Sequence, residues 1–377
     1  MIYTNASASA EPLDARNQTL DLGASASGSE RITWIESARG LGILLVVANH
    51  ILHGLTVNGL LTAAPLRPLW ESRYYNARMA MFFALSGLFA ERLARRGGRV
   101  LLADKAATLL YPYFLWGGVL AVVRMAVATA SGRRTPLEYL WELPVYPAMQ
   151  FWFVYVLFFV SLLYFVLRRV GVGPAGVVAV TLVFYGFRPW HEPNIQASTL
   201  PLLRIFHYAP FYAVGALTGL HLSRLRVEGV GRLAVVATVG LGVAAACGST
   251  PGLEYPPVPL QLVVTLFGIA GLAASSALLN RLPALDFLRP VGRRSLEIYV
   301  LHNFAVEGMR PFLSGVLHVR DPMVHFITTL IVSVAGSMAI VWLCERYGVK
   351  YAFRLPRPGK SAPRRPSPGR APAVAMA

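Results

Sequence analysis

Five residues with chemically useful side chains lie within one long apolar stretch near the start of the chain. They are Glu36, Arg39, Asn49, His50 and His53. Arg39 and His50 are eleven residues apart, and steps of about 100° per residue bring both side chains to nearly the same face of an α-helix. The helical rise separates them by about 16 Å along the axis. One helix face therefore offers a cation near one end and an imidazole deep in the stretch.

This pair of side chains suits a reaction between a charged reagent and a hydroxyl group. A neutral imidazole such as that of His50 can accept a hydroxyl proton at physiological pH, and the Arg39 guanidinium can bind phosphate or carboxylate by a forked contact. Glu36 lies one turn before Arg39, so we expect a Glu–Arg pair. The structural alternative is that Arg39 reaches to a membrane interface while His50 hydrogen-bonds to another helix. The spacing alone favours neither.

The composition indicates which elements position these residues. Of the 377 residues, 14% are charged and 55% are hydrophobic, whereas a soluble domain has about 25% charged residues. These values exclude a soluble globular enzyme, a disordered chain and a disulfide-stapled module. We predict an all-α, polytopic integral membrane protein with about ten transmembrane helices. The apolar stretches are 34–55, 77–93, 109–130, 147–167, 172–187, 201–221, 233–247, 258–279, 291–313 and 323–343.

The distribution of Lys and Arg predicts the orientation of these helices. If the N-terminus is cytoplasmic, 24 basic residues fall in inner segments and seven in outer segments, which follows the positive-inside rule. The net charge of +17 is explained by the same rule, so we expect membrane lipids rather than nucleic acid as the partner. The protein is therefore predicted to lie in the inner membrane of the cell, with both termini cytoplasmic.

The ends of the chain differ in composition from the apolar middle. Residues 1–30 are polar and predict a flexible N-terminal tail, residues 31–345 form the ten-helix membrane domain, and residues 346–377 form a basic, Pro-rich cytoplasmic tail. Within the membrane domain, Gly215 and Gly219 have the spacing of a close helix-packing motif.

Five short stretches carry a family resemblance, and they occur in the order typical of that family. They are residues 39–50 (RGLGILLVVANH), 82–89 (FFALSGLF), 111–113 (YPY), 151–154 (FWFV) and 295–302 (SLEIYVLH). Together they resemble the integral-membrane acyltransferase-3 family over about residues 30–345. One feature departs from the family pattern. Where the family has an R-x-x-R pair before the third span, this chain has Lys105 and, three residues later, Thr108.

The resemblance implies a membrane O-acyltransferase that moves an acyl group, often acetyl from acetyl-CoA, to a hydroxyl group. The acceptors it implies are cell-surface saccharides, lipid-linked intermediates and small molecules. His50 is then the candidate general base, and Arg39, Lys105 and Arg99 are the candidate cations for acyl-CoA, a cytosolic polyanion. The other candidates to line the site are Glu36, Ser86, Glu297 and His302.

Two further observations and two alternatives complete these expectations. The sequence has no metal-ligand spacing such as H-E-x-x-H, so we expect no metal. Ser86 precedes Gly87 and is expected at a close helix contact rather than as a nucleophile.

A transporter that binds its substrate with buried Arg and His remains an alternative, as does a family member that flips or scaffolds a lipid-linked sugar without acyl transfer.

The basic asymmetry generates a test of topology. A reporter fused after Ala377 is expected to give a cytoplasmic signal, and one inserted in the loop 132–135 an external signal. Alkaline phosphatase and a fluorescent protein, fused in turn at each position, measure the two sides independently. Signals from the same side at both positions would contradict the ten-span topology.

Overall fold

The fold is known from a computed structural model that describes residues 14–61, 77–130, 143–144, 151–187, 201–221, 229–249, 257–349 and 351–355. Across these residues the chain forms helices and no β-strand. This confirms the predicted all-α class. The predicted outer loop at 132–135 and residues 1–13 and 356–377 lie outside the described residues.

The helices of the described part are labelled here in chain order. They are α1 (Asp14–Val57), α2 (Ala77–Gly87), α3 (Ala90–Ala94), α4 (Gly98–Lys105), α5 (Tyr111–Ala130), α6 (Trp152–Arg169), α7 (Pro174–Gly186), α8 (Pro201–Leu220), α9 (Val230–Ser249), α10 (Val258–Leu279), α11 (Leu288–Arg293), α12 (Ser295–Pro311) and α13 (Pro322–Arg346). Single π-helical turns cover Ala106–Leu110 and Phe312–Val316.

Each of the ten predicted apolar stretches overlaps at least one of these helices. Six helical segments of the described part are long and apolar enough to cross a membrane, namely Thr33–Val57, Gly98–Thr129, Trp152–Arg169, Val230–Cys247, Val258–Leu279 and Pro322–Arg346. The protein is therefore a polytopic membrane protein. Helices α2, α7 and α12 have 11, 13 and 17 residues, fewer than the about 20 that span the hydrocarbon core alone.

Helix α1 is packed on several sides by other helices. It contacts α2, α10, α11, α12 and α13. Its contact with α11 is a close approach of two backbones, because a Cβ atom at Gly40 would overlap the Leu288 carbonyl and one at Gly292 would overlap the Glu36 carbonyl. Glycine is the residue that allows such an approach, so these two positions set the separation of α1 and α11.

A second close contact joins α2 and α8. Gly215 and Gly219 face the backbone carbonyls of Ala84 and Leu88, and Gly87 faces the carbonyl of Tyr212. This confirms the packing role predicted for the Gly215–Gly219 motif. Between α2 and α3 the helical run is interrupted at Leu88 and Phe89, so the second apolar stretch continues as two short helices.

The structure adds detail at both predicted tails. Helix α1 begins at Asp14, inside the segment 1–30 for which composition predicts a flexible tail. After α13, the chain turns back onto the start of α5. There the Tyr111 hydroxyl donates to the Tyr351 carbonyl (2.7 Å), the Trp116 indole N–H donates to the Ala352 carbonyl (2.8 Å), and Phe353 stacks on Trp116.

The contact between α1 and α11 generates a stability prediction. Gly292→Ala is expected to lower the free energy of unfolding by about 1–3 kcal/mol, because the added methyl group overlaps the α1 backbone. Gly308→Ala on α12 is the matched control, since no atom lies within 4 Å of the added Cβ there. Thermal unfolding in detergent measures both variants. An equal midpoint for Gly292→Ala and the parent protein would contradict the close contact.

Candidate active site

Two histidines meet in the interior of the helix bundle. His50 on α1 and His302 on α12 have ring centroids 5.2 Å apart, with ring planes tilted by 43°. His302 is fully buried, with 0% of its surface exposed, and His50 is half-buried. They come together because α1 packs against α12. Two sequence motifs from opposite ends of the domain therefore form one imidazole cluster.

A network of aromatic rings from three of the motifs is connected to this cluster through Tyr299. The Tyr299 ring lies 6.1 Å from that of His302 and 5.4 Å from that of Phe153, and the Phe153 amide N–H donates to the Tyr299 hydroxyl at 3.3 Å. The Phe153 ring also packs on Phe82 and Phe83, at 5.7 and 5.1 Å. Such apolar surroundings strengthen any hydrogen bond made by the imidazoles.

Arg39 lies on α1 about three turns from His50, toward the predicted inner end of the helix. The Glu36 carboxylate forms its ion pair with Arg293 at 3.1 Å. The expected Glu36–Arg39 ion pair is not formed, and within the described residues Arg39 makes no hydrogen bond or ion pair, although the charge of Glu36 acts on it. The physical reason is the tertiary contact between α1 and α11, which brings Arg293 to Glu36.

The other two candidate cations belong to α4. Arg99 is exposed, and Lys105 is half-buried at the last position of α4. Lys105 directly precedes the π-helical turn Ala106–Leu110, a feature common at functional sites. At Thr108, where the family pattern has a second arginine, the hydroxyl donates to the Asp104 carbonyl at 2.6 Å.

The basic segment between α2 and α4 is anchored by a buried carboxylate. Glu91 is 6% exposed, and its Oε1 atom accepts hydrogen bonds from the Tyr164 hydroxyl (2.6 Å) and from Nε of Arg168 (2.6 Å). Both partners are on α6. This ion pair fixes the start of the segment that carries the exposed arginines 92, 95, 96 and 99.

Two of the candidate lining residues have other contacts. Glu297, in the first turn of α12, pairs with Arg294 at 3.5 Å, and Arg294 also pairs with Glu345 of α13. Ser86 is half-buried on α2, next to the glycine that packs against α8. Across the described part of the chain, no hydrogen bond or ion pair joins Glu297 or Ser86 to the two histidines.

Two residues near the cluster were not among the sequence candidates. Arg78, at the start of α2, is 5% exposed, and its charge acts on His50. Asn303 follows His302 and is 4% exposed. Arg78 lies at the start of the apolar stretch 77–93, and the predicted topology places it among the seven outer basic residues. Its burial depends on helix packing that the sequence pattern does not reveal.

These residues together form a candidate site within the helix bundle. An imidazole cluster lies in an aromatic interior, and cations on the same helix and on a neighbouring segment lie toward one end of the bundle. Such an arrangement can hold an anionic reagent by its charged end and accept a proton at the other.

Comparison with known proteins assigns the chain to a family. The sequence profile of the acyltransferase domain matches residues 32–342, which covers most of the chain. The protein therefore belongs to the acyltransferase-3 family, and it is a membrane-embedded O-acyltransferase. No curated protein and no solved structure gives a significant match.

Proposed function

We propose that the protein transfers an acyl group, acetyl from acetyl-CoA, from the cytosolic side of the inner membrane to a hydroxyl group, with His50 as the general base. The acceptor belongs to one of three classes, namely a cell-surface saccharide, a lipid-linked sugar or a small molecule. The observation that carries the proposal is the position of His50. It lies half-buried beside His302 within an aromatic interior, on the helix face that also carries Arg39.

The donor enters, in this proposal, from the side that carries most of the basic residues. Arg39 binds a phosphate of acyl-CoA, and Lys105 and Arg99 contribute further positive charge at the same end of the bundle. Arg39 suits this role because it makes no ion pair within the described residues while its neighbour Glu36 is neutralised by Arg293. The pantetheine arm then extends along α1 toward His50, over about 16 Å of helix.

The chemical step requires one base and no covalent enzyme intermediate. The acceptor hydroxyl attacks the thioester carbonyl carbon and gives its proton to His50. The new C–O bond forms, the C–S bond breaks, and the thiolate takes the proton back from the imidazolium to leave as free CoA. Holding the two substrates together supplies much of the rate enhancement, and the positioned base supplies about 10²- to 10⁴-fold.

His50→Ala tests this proposal most directly. The variant is expected to insert in the membrane and bind acetyl-CoA as the parent does, but to transfer acyl groups about 10²- to 10⁴-fold more slowly, because the hydroxyl proton has no acceptor. Each variant is added to membranes from cells that lack this protein. The assay measures the incorporation of labelled acetyl groups into these membranes and the release of the CoA thiol.

His53→Ala is the matched control for His50→Ala. His53 lies on the same helix but is exposed, so its removal is expected to leave the rate unchanged. Transfer by His50→Ala at near the parental rate would contradict the role of His50. A transporter or flippase binds its ligand without acyl transfer, so a parent protein that transfers no acetyl group would favour those alternatives.

The donor site generates a separate prediction. Arg39→Ala and Lys105→Ala are each expected to weaken acetyl-CoA binding by about 1.5–3 kcal/mol, since each removes a charge-assisted contact. Isothermal titration with acetyl-CoA in detergent measures the affinity. Arg320→Ala, at an exposed position predicted to lie on the outer side, is the control and is expected to bind as the parent. Parental affinity in both Arg39→Ala and Lys105→Ala would contradict these roles and would indicate that the arginines at 92–99 bind the donor instead.

A further inference from the structure

His302 uses one of its two ring nitrogens within its own helix. Its Nδ1 atom lies 3.1 Å from the Ile298 carbonyl oxygen and 2.8 Å from the Tyr299 carbonyl oxygen. A carbonyl oxygen only accepts hydrogen bonds, so Nδ1 carries the hydrogen. In the neutral ring the other nitrogen, Nε2, then has no hydrogen and is an acceptor. The α12 backbone thus determines the tautomer of His302.

The Nε2 atom of His302 is buried and has no hydrogen-bond partner among the described residues. Buried polar atoms are almost always satisfied, so this acceptor indicates the place of a donor. The His50 ring is 5.2 Å away between centroids. Two imidazoles joined by an N–H···N hydrogen bond have centroids about 5 Å apart, given the usual donor–acceptor distance. The observed separation of the two rings therefore fits such a hydrogen bond. Rotation of the His50 ring about χ2, a torsion with broad minima, brings one of its N–H groups toward Nε2 of His302.

We propose that His302 is the positioning residue for His50. Its Nε2 atom accepts a hydrogen bond from one N–H of the His50 ring, which leaves the lone pair of the other His50 nitrogen for the acceptor hydroxyl. The inference rests on the proposed function, and it assigns to His302 the task that a buried carboxylate performs in serine hydrolase triads.

The proton balance of the reaction gives this hydrogen bond its importance. When the hydroxyl proton moves to His50, the ring becomes an imidazolium with two N–H groups. The N–H that faces His302 then donates a charge-assisted hydrogen bond, which is stronger than the neutral one. The bond weakens again when the departing thiolate removes the other proton. His302 keeps its own proton on Nδ1 throughout, held by the two backbone carbonyls.

The surroundings of His302 fix its ring in place. Its Nδ1 partners belong to α12 itself, so the ring cannot turn without losing both contacts. Tyr299 ties this part of α12 to α6 through Phe153, by a hydrogen bond and by ring packing. A positioning group has to be rigid to be effective, and His302 meets that requirement.

The kinetic test compares two substitutions of His302. His302→Leu removes the acceptor atom and keeps an apolar side chain, and it is expected to lower kcat for acetyl transfer about 10- to 100-fold, as for a lost hydrogen bond to a charged group. The KM for acetyl-CoA is expected to stay unchanged. His302→Gln retains a carbonyl oxygen as acceptor, so part of kcat is expected to return.

His325→Leu is the matched control for loss of a buried histidine. His325 on α13 is 1% exposed, and its Nε2 bonds the Val319 carbonyl at 2.9 Å. Its replacement is expected to affect stability and to leave kcat unchanged. Parental kcat in folded His302→Leu would overturn the inference. Loss of transfer in His302→Leu together with normal transfer in His50→Ala would also overturn it, since His302 would then be the base.

A spectroscopic measurement on the parent protein needs no substitution at His302. The protein is labelled with ¹⁵N at histidine and placed in lipid vesicles. The ¹⁵N chemical shifts of the His302 ring are expected to show a protonated Nδ1 and an unprotonated, hydrogen-bonded Nε2, with a ¹⁵N–¹⁵N correlation to His50. The His50→Gln variant assigns the signals. A proton on Nε2 of His302 would overturn the inference. This measurement does not depend on acyl transfer. A failure of the proposed function is therefore detected separately, as a parent protein that transfers no acetyl group.

Discussion

The close contact between α1 and α11 is the constraint on which the site depends. At Gly40 and Gly292 the two backbones approach so closely that a single methyl group would overlap a carbonyl. This contact fixes the position of the inner half of α1 along its axis and its rotation about that axis. A shift of one residue would turn the helix by about 100° and carry His50 away from His302. The same contact brings Arg293 to Glu36, so two small residues determine both the ion pair and the imidazole cluster.

The described carboxylates near the basic side of the bundle follow a common pattern. Glu36 pairs with Arg293, Glu91 with Arg168, and Glu297 and Glu345 share Arg294. Each of these four carboxylates is therefore neutralised by an arginine, and the sequence as a whole has 35 basic residues against 18 acidic ones. In the proposed function, this surplus of positive charge attracts the polyanionic donor over distances near the Debye length. The ion pairs join neighbouring helical segments of the bundle.

The sequence was sufficient for the fold class and for part of the site. The ten apolar stretches required no tertiary information, since a bilayer obliges each of them to satisfy its own backbone. The shared face of Arg39 and His50 follows from helical periodicity alone. The same local rule predicts the Glu36–Arg39 ion pair, and this prediction is wrong because Arg293 of α11 pairs with Glu36 instead. The proximity of His302 to His50 and the burial of Arg78 depend on contacts between distant helices, which no spacing along the chain encodes.

The choice of an imidazole instead of a carboxylate beside His50 has a physical reason. An ionised carboxylate in an aromatic, water-poor interior loses its hydration and requires a matched cation at all times. A neutral His302 costs less to bury, because two backbone carbonyls lie within hydrogen-bond distance of its Nδ1 atom and the proposed hydrogen bond from His50 satisfies its Nε2 atom. In the proposed mechanism His302 interacts most strongly with His50 while His50 is charged, and that is the stage of acyl transfer at which stabilisation lowers the barrier. Among the described residues, the carboxylates Glu36, Glu91 and Glu297 each have an arginine partner, whereas His302 needs no matched cation while it is neutral.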